Sequence, residues 1–167
     1  MVRSSLNVLR AVVEKRQKLE VAWLDECATL KQPTDRRVLR DITSGTLRHL
    51  DYYARLVDYN GSTAISDNVP LRLLVASTLY QQQHMQRAPP LQEFHASIVE
   101  CCKELGERPS VAPAVFDLCE KIYHLNGQQT RESLTQASTF SLPVWMVRPP
   151  PRACSPPSAS ILSVTPP

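Results

Sequence analysis

The stretch LRLLVASTLYQQQHM, residues 71 to 85, carries apolar side chains around nearly its whole circumference at helical spacing. A helix that is hydrophobic on every side is stable in water only when other elements cover it on every side. The segment therefore reads as the central helix of a bundle, and the rest of the chain has to supply the ring of partners.

Those partners are visible as helical periodicities. Ser4 or Ser5 caps a first predicted helix whose Leu6, Leu9, Val12 and Val13 keep helical spacing. A second segment places Leu19, Ala22, Trp23, Cys27 and Leu30 on one side and ends at Pro33. Thr34 is the natural N-cap of a third predicted helix over residues 35 to 58, DRRVLRDITSGTLRHLDYYARLVD. At about 100° per residue, Leu39, Ile42, Thr46, Leu50, Tyr53 and Val57 share one arc of it, and Arg36, Arg37, Arg40, Arg48 and Arg55 gather on the opposite arc. Gly45 lies at the margin of the apolar stripe. A glycine there costs roughly 1 kcal/mol relative to alanine, and close approach of a neighbouring element is the compensation expected.

Asn60-Gly61-Ser62 signals a loop, and Pro70 suits the first turn of the central helix. The sequence Arg87-Ala88-Pro89-Pro90 stops that helix. Pro90 opens another helix with Leu91, Phe94, Ile98, Cys101 or Cys102 and Leu105 inward, closed by Gly106 as a C-terminal cap. The last predicted helix runs from near Pro113, with Val115, Leu118, Cys119 and Ile122 inward, to Asn126-Gly127. No alternating strand pattern of useful length interrupts the series. The expected fold class is all-α, a single bundle of about six helices over residues 1–128.

Composition sets the other boundary. Of 14 prolines in 167 residues, more than half fall from Pro143 onward, among serines and without periodicity. Residues 129–167 are therefore expected to form a disordered Pro/Ser-rich tail, with RPPPR at 148–152 a candidate polyproline ligand. Five cysteines, none in a C-x-x-C pair, suit reduced thiols in a cytoplasmic, nuclear, nucleolar or organellar protein. The Arg- and Ser-bearing N-terminus has the look of a mitochondrial presequence, but Glu14 and its place as a first core helix argue for structure instead. No apolar run reaches the roughly twenty residues of a membrane span.

The formal net charge of +3 is too small to declare a polyanion partner. Its basic excess in the folded part sits in the first sixty residues. The arginine arc of the third helix is thus either a solvated face or a phosphate-binding one.

The order of these signals resembles the NusB-like RNA-binding domain, found alone in transcription antitermination factors and as the N-terminal part of Sun-family, RsmB-like 5-methylcytosine rRNA methyltransferases. DRRVLRDITSGTLRHLD is similar to the family's Gly-x-Leu-Arg turn, here Gly45, Thr46, Leu47 and Arg48. LRLLVASTLYQQQHMQRAPP resembles its central helix through Tyr80 and Gln81, IVECCKELG its fifth helix through Val99, Glu100, Lys103 and Gly106, and VFDLCEKI its last. The likeness covers about residues 4 to 126. The chain departs from the family pattern at Ala96-Ser97, where Asn-Glu is usual, and at Phe116-Asp117, where Asn-Gly or Asn-Ala is usual. The resemblance implies RNA binding, with rRNA the expected partner, through Arg3, Arg10, Arg16, Arg36, Arg37, Arg40 and Arg48. The alternative is a non-catalytic protein-interaction module in a ribosome-assembly or transcription complex.

Catalytic chemistry finds little footing. A strand, glycine-rich turn and helix that would hold S-adenosylmethionine are missing, so no cofactor is expected and the chain reads as a methyltransferase-associated domain or a fragment of such an enzyme. The Cys154-Ser155 pair resembles the catalytic loops only superficially. His84, His95, His124 and the cysteines match no tight zinc spacing. Asp41 and Asp51 stand too far apart along one helix to work as paired carboxylates.

Overall fold

The computed structural model describes residues 1–85 and 89–124. The expected tail at 129–167, with Cys154 and RPPPR, lies outside the described residues. Among the described residues the fold is all-helical: α1 (Val2–Val13), α2 (Leu19–Cys27), α3 (Pro33–Arg48), α4 (Leu50–Asn60), the single turn α5 (Thr63–Ser66), α6 (Val69–His84), α7 (Leu91–Glu104) and α8 (Val111–His124). No helix among them is long and apolar enough to cross a membrane.

The apolar segment at 71–85 forms α6, and its residues from Leu73 to Gln81 are all buried. It packs against α1, α3, α4, α5, α7 and α8. Even its polar residues are accommodated there, because their hydrogen bonds close locally. Thr78 Oγ1 donates to the Leu74 carbonyl at 2.9 Å and Gln81 Nε2 to the Ser77 carbonyl at 3.1 Å. Asn68 caps the start, its side-chain oxygen accepting from the Leu71 amide at 3.1 Å. Ser77 meets α1 through a buried hydroxyl pair with Ser5 at 2.9 Å, and Ser5 Oγ also donates to the Val2 carbonyl. Ser5 is therefore a packing residue rather than a cap, and α1 begins earlier than its serines suggest.

Eight helices stand among the described residues where the sequence indicates about six. The added turn is α5. The other difference is a break of the 35–58 helix at His49, whose φ of −106° and ψ of 14° end α3 and start α4. A straight helix from Pro33 to Asn60 would be about 42 Å long at 1.5 Å per residue, whereas α6 with its 16 residues is about 24 Å. The break lets both halves lie against α6, and the apolar arc survives it: Leu39, Ile42, Thr46, Tyr53 and Val57 are all buried. At the other end Pro33 takes the first helical position and Gln32 the cap position, displacing Thr34 from that role. The last helix likewise starts two residues before Pro113, at Val111.

Two apolar clusters result. The larger surrounds α6; the smaller joins Val8, Ala22, Cys27 and Leu39 beneath α2. Helix α1 serves both, with Leu6 and Leu9 toward the first and Val8 toward the second.

Two glycines have structural reasons. Gly106 has φ of +75°. Its amide donates to the Lys103 carbonyl and the Glu107 amide to the Cys102 carbonyl, each at 3.0 Å, which is a Schellman closure of α7. Gly45 lets α3 approach α6 so closely that a Cβ added there would fall on the outer end of the Tyr80 ring.

Gly45→Ala is expected to destabilise the fold by about 1–3 kcal/mol despite its better helix propensity, since the Tyr80 ring has to move. In a Tyr80→Leu background the penalty should vanish, as urea unfolding of the four proteins would reveal. Thr46 Oγ1 is buried without a hydrogen-bond partner, so Thr46→Val should raise stability by about 1 kcal/mol in the same assay.

Candidate nucleic-acid interface

The seven arginines singled out by the resemblance do not form one surface. Arg3 on α1 faces α7, with its guanidinium 3.0 Å from Glu104 and 4.0 Å from Glu100. Arg10 pairs with Glu14 one turn later at 2.8 Å. Arg16 lies in the α1–α2 connection with φ of +57°. These three are spread over α1 and its end, and two of them already have carboxylate partners.

The four on α3 behave differently. Arg36, Arg37, Arg40 and Arg48 are all exposed, and among the described residues none has a carboxylate within 4.0 Å. Arg36, Arg40 and Arg48 lie at multiples of four residues, on a row that rises about 18 Å along the helix while winding about 120° around it. Helix α2 fixes part of that row. Trp23 Nε1 donates to the Arg36 carbonyl at 3.2 Å, Arg36 donates to the Leu30 carbonyl at 3.1 Å, and the Arg40 guanidinium lies 5.5 Å from the Trp23 ring centroid. A groove of about 450 Å³ follows the α2–α3 seam, lined by Leu19, Glu20, Trp23, Leu24, Arg40, Ser44 and Arg48. It has an apolar floor, an arginine wall and one acidic rim residue. Guanidinium groups held this way suit phosphate oxygens, to which they bind bidentately.

A ring cluster adjoins the C-terminal end of the same row. His49, immediately after Arg48, stacks on His84 of α6 with ring centroids 5.2 Å apart and planes 9° from parallel. Tyr80 stacks on His84 at 4.9 Å and 28°. Its hydroxyl lies 3.5 Å from Asp41 Oδ1. Tyr53, buried beneath, meets His49 edge-on and donates to Gln83 Oε1 at 3.3 Å. Desolvation first, then the neighbouring His49, holds the His84 imidazole below its usual pKa of 6.5, with Asp41 acting in the opposite sense.

Helical spacing puts Trp23 among the inward residues, and His84 enters the sequence only as a histidine that fits no zinc pattern. Their roles were legible only in part: the His49/Tyr53 and Tyr80/His84 pairs at i, i+4 mark ring contacts within each helix, but the stack across helices depends on the break at His49.

Cys27, Cys101, Cys102 and Cys119 are buried free thiols, and burial pushes Cys101 up to about 11 and Cys119 up to about 12. No cluster of three or more His, Cys, Asp or Glu among the described residues is arranged to hold a metal ion. His95 instead packs edge-on against Phe116 at 5.1 Å. Comparison with protein-family models, with curated proteins and with solved structures found no match to this chain.

The depressed His84 value has a sign. The unfolded chain takes up this proton first, so the contribution to stability is complete above about pH 7 and declines as pH falls through 6.5 toward the folded value. Titration by nuclear magnetic resonance should put the His84 midpoint below 6.5, and His49→Ala should move it upward.

Proposed function

We propose that the chain is an RNA-binding helical module of the NusB type, acting in rRNA maturation or methylation or in transcription antitermination, as a binding rather than a catalytic unit. The row of exposed arginines on α3, free of carboxylate partners among the described residues, carries this reading. Phosphate contact by such a row gives affinity with little sequence choice, and neutralising phosphates releases counterions, so affinity falls with salt. The Trp23 ring and the apolar floor beside it add a surface on which bases or sugars can rest. Arg3 and Arg10 contribute less here than the resemblance implies, because binding RNA would require separating them from Glu104 and Glu14.

A protein partner is the second reading, favoured by Leu24 and Val21 on α2, which are 59% and 44% exposed. The two readings part over the arginines: charge reversal on α3 ends RNA binding but largely spares an apolar protein contact.

Fluorescence anisotropy of a structured rRNA fragment with the full chain tests this. With three or four phosphates contacted, affinity should fall roughly 20- to 150-fold between about 50 and 200 mM salt. The Arg36→Glu, Arg37→Glu, Arg40→Glu triple variant should lose binding at both. Failure of the unaltered chain to bind at low salt would overturn the reading.

A further inference from the structure

The ring cluster at the end of α3 has one surface that the bundle does not use. His84 is exposed at the last position of α6, and its two ring neighbours lie on one side of it. This follows from the centroid triangle: His49 and Tyr80 are 5.2 and 4.9 Å from His84 but only 6.3 Å from each other. Rings in contact with opposite faces of one imidazole would stand at least about 7 Å apart. His84 is exposed, and among the described residues no other ring stacks on it, so no ring of the bundle takes its second face.

We propose that this second face of His84, backed by His49 and Tyr80, is a stacking site for an unpaired nucleobase, and this rests on the RNA-binding reading above. Three observations select a base. The backing is rigid: Tyr80 is pinned between Gly45 and Asp41, and His49 is fixed at the α3–α4 junction. A platform that is already ordered loses little entropy when a flat ligand lands on it. The charges around it are divided, since the Asp41 carboxylate repels a phosphate while Arg48, near enough to act on the Tyr80 hydroxyl, attracts one. The uncharged base is therefore the part of a nucleotide that fits over His84, with its phosphate directed to Arg48. Finally, the site is continuous with the arginine row, so a strand running along Arg36, Arg40 and Arg48 arrives at the rings. A base in a duplex is already stacked and paired and cannot take this position without being flipped out.

The test uses the full chain with a short single-stranded oligoribonucleotide carrying 2-aminopurine, beside a duplex of the same length. The unaltered protein should bind the single strand with a change in 2-aminopurine emission. His84→Ala should bind it roughly five- to a hundredfold more weakly and lose that change, with duplex binding unaltered. His84→Phe, which keeps a flat ring and removes the titratable group, should restore both. Single-strand affinity and emission in His84→Ala equal to those of the unaltered protein, with binding lost in the α3 triple variant, would overturn the stacking site and leave the RNA reading standing. No binding of either RNA by the unaltered protein would overturn both.

Discussion

The fold depends on covering α6 completely. Its residues from Leu73 to Gln81 are all buried, and such a helix has no stable position until every side has a partner. Six of the other seven helices touch it. The remaining one, α2, is held instead by α1 and α3 over a small core of its own. The bundle is therefore two-tiered: a core built around one helix, and a lighter layer, α2, that shapes the surface on which the exposed arginines lie.

Close approach to α6 is what places the candidate site. Gly45 brings α3 against Tyr80, which sets where the arginines of α3 point. The break at His49 turns the chain so that α4 can also reach α6. The same break swings the His49 ring onto His84, where α6 leaves the core. Packing thus determines both parts of the proposed interface, the cationic row and the rings at its end. Neither requires a catalytic group, and the buried thiols are tuned away from reactivity rather than toward it.

Much of this was legible in the sequence because periodicity reports burial directly. The all-helical class, the central role of α6, the inward set Leu39, Ile42, Tyr53 and Val57, the close approach at Gly45 and the cap at Gly106 follow from spacing and residue type alone. What spacing does not encode is length matching. The break at His49 comes from the misfit between one long helix and a shorter partner, a property of the assembled bundle, and His49 carries no local breaking signal such as proline. The arginines read as one set by composition and resemblance, yet Arg3 and Arg10 are drawn to carboxylates on α7 and α1. The Arg10–Glu14 spacing of four is visible in the sequence, but the Arg3 pairing depends on how helices are set side by side, which a single-helix projection leaves open. The histidine stack was hidden for the same reason.

The proposed contact of RNA with α3 and the rings that adjoin it is open to nuclear magnetic resonance, with backbone amide and imidazole resonances followed during titration with a single-stranded rRNA fragment. Shifts should concentrate on residues 36–49, on Trp23 and on His84, with α7 and α8 unmoved. Shifts confined to α7 and α8, or none on α3, would rule the proposed interface out.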